Sequence, residues 1–100
     1  MKTIKFFVYM MASENNRILY IGVTNGLKRR VEEHQLNLKR GFTWKYNVKK
    51  LVYFEPFCYV EDAINREKQL KKWNREWKDN LIIKSNPDFH DLTSTIQSNI

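Results

Sequence analysis

Cysteine is almost absent. Cys58 stands alone among one hundred residues, so no disulfide can form within the chain. One thiol and two distant histidines, His34 and His90, also cannot build a structural zinc site of the usual spacing. This usage suits a reducing compartment, and the expectation is a cytoplasmic protein without a disulfide-linked partner. Glycine (three) and proline (two) are equally scarce. There is no repeat, no low-complexity tract and no interdomain linker, so the length reads as one domain over residues 1–92 with a polar, flexible tail at 93–100. No apolar run nears the ~20 residues that cross a bilayer, and no membrane partner is expected. Lys2 followed by Phe6-Phe7-Val8-Tyr9-Met10-Met11-Ala12 faintly imitates a signal peptide. That run is short, and cleavage would remove a strand the core needs.

Acidic residues are outnumbered, 11 against 18 basic, for a net charge of +7. The excess sits in residues 28–84, whereas residues 85–100 carry only Asp88 and Asp91. A surplus of this kind favours an anionic partner such as nucleic acid or an anionic membrane surface. The plainer alternative is a set of Lys-rich, well-solvated helices.

What is present is a clear alternation of strands and helices. Residues 5–11 are almost continuously apolar and β-forming, which suggests a central strand buried on both faces. Ser13-Glu14-Asn15-Asn16 is turn material, and residues 17–23 make the second arm of a hairpin. A turn centred between Glu14 and Asn15 sets Tyr9 directly opposite Tyr20. Thr24-Asn25-Gly26 offers caps for a helix from Leu27, along which Leu27, Val31, His34 and Leu38 share a face. Residues 42–49 lack periodicity and read as a loop or short helix after Gly41. Residues 50–55 form a third strand, stopped by Pro56. A helix follows from Tyr59, with Ala63, Leu70, Trp77 and Leu81 on one stripe. Alternatively, Asn74 caps a second helix carrying Trp77, Leu81 and Ile82. The expected fold is a small α/β domain, with a three-stranded antiparallel sheet whose first strand is central and helices packed around it.

Several side chains are hard to explain as core. Glu67 falls inside the apolar stripe, where a carboxylate needs a cation, hydrogen bonds or a metal. Its structural alternative is an ion pair with Lys71 at the stripe's edge. His34 lies on the apolar face of the first helix, one turn after Arg30, and the two can point to one spot near the helix start, whose positive end favours phosphate. Tyr9 and Tyr20 either form an aromatic cross-strand pair or present two hydroxyls on one face. Gly22 interrupts its strand and admits a close approach.

The ordered set Val8-Tyr9-Met10, Tyr20-Ile21-Gly22, Arg30, His34 and Glu67 closely resembles the GIY-YIG nuclease domain. That domain occurs in a bacterial excinuclease, phage homing endonucleases, some restriction enzymes and many small stand-alone bacterial proteins. The resemblance runs from Phe6 to Asp91. The stretches Tyr20 to Arg30 and Arg66 to Trp73 look most like the stand-alone subgroup. The first tripeptide departs from the pattern in lacking its initial glycine.

By position, the resemblance implies catalytic roles for Tyr9, Tyr20, Arg30, His34 and Glu67. Glu67 would be the ligand of one Mg²⁺ or Mn²⁺ ion, and Arg30 the essential arginine. The implied activity is metal-dependent hydrolysis of DNA phosphodiesters, in DNA repair or recombination. Lys28, Arg29, Lys45, Arg66 and Lys71 are the expected contacts to nucleic acid. The rivals are a non-catalytic nucleic-acid-binding module of the same fold and a protein-interaction module built on Phe42, Trp44 and Tyr46.

Overall fold

A computed structural model describes residues 3–36, 41 and 45–96. The strands are β1 (Phe6–Ser13), β2 (Leu19–Thr24) and β3 (Val48–Phe57). The helices are α1 (Leu27–Gln35), α2 (Val60–Lys72) and α3 (Arg75–Ser85), followed by a 3-10 turn at Leu92–Thr95. The sheet is antiparallel in the order β2-β1-β3, as expected from the apolar run of β1, buried from Phe7 to Ser13.

Alternation along β1 divides the core in two. Phe7, Tyr9 and Met11 face Leu27 and Val31 of α1. Val8, Met10 and Ala12 face Ala63 and Leu70 of α2 and Ile82 of α3. Helices therefore cover both faces of the sheet.

The hairpin register differs from the expected one. Tyr9 pairs with Gly22, and Tyr20 pairs with Met11. The cause is a longer turn: Ser13 N–H bonds the Ile18 carbonyl at 3.0 Å, and Asn16 takes a left-handed φ of 62°. The slip is two residues, so Tyr9 and Tyr20 still share a face.

Helix α1 begins at Leu27 as expected, but no side chain caps it. Thr24 Oγ1 accepts instead from the Gly26 N–H at 3.1 Å. Leu27, Val31 and His34 are buried on its inner face. Leu38, expected to continue that stripe, lies outside the described residues. Pro56 does not stop β3 but pairs with Phe7, which an edge strand tolerates.

The helical stripe expected from Ala63 to Leu81 is broken. Trp73 is extended (ψ 149°), and Asn74 Oδ1 accepts from the Trp77 N–H at 2.9 Å, starting α3. The two-helix alternative therefore holds. The break turns Trp77 out of the core to 55% exposure, while Ile82 is buried.

Residues 93–96, read above as part of the tail, are packed on the domain. Thr93 Oγ1 accepts from Gln35 Nε2 at 2.9 Å, and Ile96 is buried in the α1-side core. Three side chains from outside the sheet meet the backbone of β3. Gln35 Nε2 donates to the Lys49 carbonyl, Asn86 Nδ2 donates to the Val52 carbonyl, and Asp91 Oδ1 accepts from the Leu51 N–H, each at 3.1 Å.

Candidate active site

Tyr9 is the centre of the α1 face. It is fully buried, and its hydroxyl lies 2.9 Å from His34 Nε2. Arg30 Nε donates to the same oxygen at 3.4 Å. A guanidinium can only donate, so Tyr9 Oη accepts there. Its own proton can then go to a neutral imidazole whose hydrogen is on Nδ1. Burial first, and the Arg30 charge second, push the His34 pKa down to about 4, which keeps that ring neutral at ordinary pH. Burial, then the neighbouring Tyr20, raises the Tyr9 phenol well above its usual range.

Tyr20 completes the cluster from β2. Its ring centroid is 6.1 Å from that of Tyr9 and 5.2 Å from that of His34. Gly22 makes this approach possible. A Cβ at that position would stand 2.7 Å from Tyr9 Oη and 2.9 Å from Tyr20 Cε2. The glycine is thus required by its neighbours, and Gly22 has no positive φ.

Arg30 is shared. NH1 contacts Glu33 Oε1 at 3.0 Å, and the guanidinium also hydrogen-bonds Tyr20. Burial opposes its charge, but the bonds to Tyr9 and Glu33 outweigh that and raise its pKa. Glu33 is a participant that sequence reasoning missed. Its signal is the i, i+3 spacing from Arg30.

Glu67 is placed differently. It lies on α2, which packs against Val8, Met10 and Ile21 on the other face of the sheet. Its carboxylate is largely covered and pairs with Lys71 at 2.9 Å. The structure brings Tyr9, Tyr20, Arg30 and His34 together, and Glu67 comes from the helix that packs on the other face of the sheet. Side chains on opposite faces meet only round an edge, and β2 is an edge strand. Glu67's hard oxygens suit Mg²⁺ or Mn²⁺, which take one or two carboxylates and fill their shells with water and phosphate. Among the described residues no group of three or more His, Cys, Asp or Glu converges.

The expected nucleic-acid contacts divide. Lys28 pairs loosely with Glu32 at 3.7 Å, and Arg29 bonds Asn25 Oδ1 at 3.0 Å, both on the exposed side of α1. Lys45 lies over the Tyr46 ring, and Lys71 holds Glu67. Arg66 does not present itself to a ligand. Its Nε and NH2 grip both oxygens of Glu55 at 2.9 Å, and NH1 donates to Gln69 at 2.6 Å. Tyr53 donates to the same carboxylate. Burial would raise the Glu55 pKa, but the bonds from Arg66 and Tyr53 prevail and lower it. Phe42 and Trp44 lie outside the described residues.

The model of the GIY-YIG catalytic domain matches residues 5–80. The chain belongs to this family, a family of endonucleases. Within it, the chain is similar to UPF0213 proteins. It is 36% identical to UPF0213 protein CPE1444 of Clostridium perfringens over 76 residues, 76% of this chain and 81% of that one. It is 30% identical to a UPF0213 protein of Limosilactobacillus reuteri over 88% of this chain and 93% of the relative. The solution NMR structure of UPF0213 protein BH0048 from Bacillus halodurans shares the fold, with a TM-score of 0.56 at 22% identity over 93% of this chain and 98% of that one. No helix among the described residues is long and apolar enough to cross a membrane.

Proposed function

We propose that this protein is a divalent-metal-dependent endonuclease that hydrolyses DNA phosphodiesters, with a role in DNA repair or recombination in the cytoplasm. The observation that carries the reading is the buried Tyr9 hydroxyl, held between a neutral imidazole at 2.9 Å and an arginine at 3.4 Å beside Tyr20. A partly exposed guanidinium anchored on a buried phenol suits an oxyanion site that a phosphate can reach.

In this reading water attacks phosphorus, the bond to the 3′ oxygen breaks, and that oxygen leaves as an alkoxide that takes a proton from solvent water. Arg30 opposes the negative charge that builds on the phosphoryl oxygens. Tyr9 stays protonated and fixes Arg30 and His34 in place. Tyr20 is only half-buried, so its oxygen is the one that can orient the attacking water, and it takes the water's proton as the phenolate, its own proton having gone to solvent. Glu67 would hold one Mg²⁺ or Mn²⁺, which would supply Lewis-acid stabilisation of the leaving oxygen.

One observation favours the rival of a non-catalytic binding module: Glu67 is paired with Lys71. The test is cleavage of a panel of labelled duplex, single-stranded and branched DNAs with Mg²⁺ and Mn²⁺. Glu67→Gln should lower turnover at least ~100-fold, as at other electrostatic and metal sites, with folding intact. Equal cutting by the variant would refute the metal assignment, and no metal-dependent cutting by the parent would leave the binding module.

A further inference from the structure

The break between α2 and α3 leaves a groove that the candidate active site does not use. A cavity of about 250 Å³ is lined by Trp73, Trp77, Asn80, Leu81 and Lys84. It falls below the ~300–1,000 Å³ typical of drug-sized ligand sites, so it suits one flat ring system. Its aromatic walls differ in rigidity. Trp73 is fixed: the Arg66 guanidinium lies 5.3 Å from its ring centroid and is itself clamped by Glu55. Trp77 meets Trp73 edge-on at 5.9 Å, with an interplanar angle of 86°, and is 55% exposed. The edge-on contact leaves an indole face uncovered by its partner. Asn80 and Lys84 add an amide that can pair with a ring's polar edge and an ammonium for a phosphate.

Charge around the groove is predominantly positive even with Arg66 matched by Glu55. Residues 66–84 hold seven basic and three acidic side chains. Two of those acids, Glu67 and Asp79, are neutralised by Lys71 and Arg75. An aromatic face inside a basic surround is the pattern that seats unpaired bases of single-stranded nucleic acid.

We propose that the Trp73–Trp77 groove is a stacking seat for one unpaired base of single-stranded DNA, separate from the Tyr9 cluster and on the opposite face of the sheet. The choice of DNA rests on the reading of the chain as a DNA nuclease. The seat would make the protein prefer substrates with a single-stranded portion.

The test is fluorescence anisotropy with labelled oligo(dT), oligo(rU) and a duplex of equal length. It is run in EDTA, so that binding is read without cleavage. Trp77→Ala should weaken oligo(dT) binding about tenfold, within the range for loss of one stacked base, and duplex binding less than about twofold. Trp77→Phe should restore most of the affinity, and Lys84→Ala should weaken binding severalfold with a shallower salt dependence. The proposal is overturned by equal oligo(dT) binding of parent and Trp77→Ala, by equal losses on duplex, or by a tenfold preference for oligo(rU). It is also overturned if sedimentation shows a dimer that Trp77→Ala dissolves, because the groove then seats a second copy. Cleavage of the DNA panel is scored separately. A Trp77 effect without any cleavage retains the seat and removes the nuclease; cleavage with no Trp77 effect does the reverse.

Discussion

Each face of the sheet carries an arginine held by tyrosine and glutamate, and the two sets are wired differently. On the α2 face, Arg66 gives two parallel N–H bonds to the two oxygens of Glu55, and Tyr53 adds a third bond to that carboxylate. Charge meets charge in a fork that leaves little to offer a ligand. On the α1 face, Arg30 meets two phenol hydroxyls and one oxygen of Glu33, a neighbour on its own helix. Hydroxyls are neutral partners that an incoming phosphate can outcompete. For the proposed nuclease, pairing geometry rather than residue type separates a brace from a site.

The largest expected effect would break this comparison if it failed. Arg30→Lys should lower cleavage by ~100-fold or more, because an ammonium cannot match two phosphoryl oxygens at once. The melting temperature should change little. Arg66→Lys should show the reverse: a loss of about 1–3 kcal/mol in stability, with cleavage kept within about threefold. Arg29→Lys, exposed one position away, should be silent in both. Paired rate and denaturation measurements on the three variants decide it, and matching profiles for Arg30 and Arg66 would erase the distinction.

A smaller effect is expected at Gly22. Alanine there sets a methyl 2.7 Å from Tyr9 Oη, so the phenol must move. Overpacking of this kind costs about 1–3 kcal/mol. A hydroxyl displaced by under an ångström should slow single-turnover cleavage by about 10–100-fold. An unchanged rate would mean that the phenol positions do not govern the chemistry.

The smallest effects sharpen the comparison through pH. His34 titrates near 6.5 when unfolded and about 4 when folded. Between those values the unfolded chain binds more protons, so stability present above pH 6.5 is lost as pH falls toward 4. Glu55 is depressed from 4.5, so its contribution, present above 4.5, fades only at still lower pH. Acid should therefore weaken the α1 face before the α2 face. Urea midpoints against pH should flatten between 6.5 and 4 in His34→Gln, and below 4.5 in Glu55→Gln. A parent-like slope in His34→Gln would contradict the buried neutral imidazole.

The fold is legible in the sequence because its signals are local. The apolar run of β1 marks a central strand, and the spacing of Leu27, Val31 and His34 marks a buried helical face. The Tyr9, Tyr20, Arg30 and His34 cluster is legible because a two-residue slip in register preserves the face. Periodicity misplaces Trp77 on the core stripe because it cannot see a phase break, and only the Asn74 cap hints at one. Arg66 reads as a contact for nucleic acid because its partner, Glu55, is eleven residues distant on another element. Glu67 reads as facing inward, and a helical wheel does not tell which face of the sheet its helix meets.

The side chains of Gln35, Asn86 and Asp91 that meet the backbone of β3 bear on how copies of the chain behave when crowded. An unpaired strand edge is a template for another strand, and so for aggregation. Here three backbone groups of β3 are taken by side chains, the strand is irregular at two points, and Pro56 offers no N–H. An edge so occupied is a poor template for a strand of a second copy, the more so for a chain whose net charge of +7 already keeps copies apart.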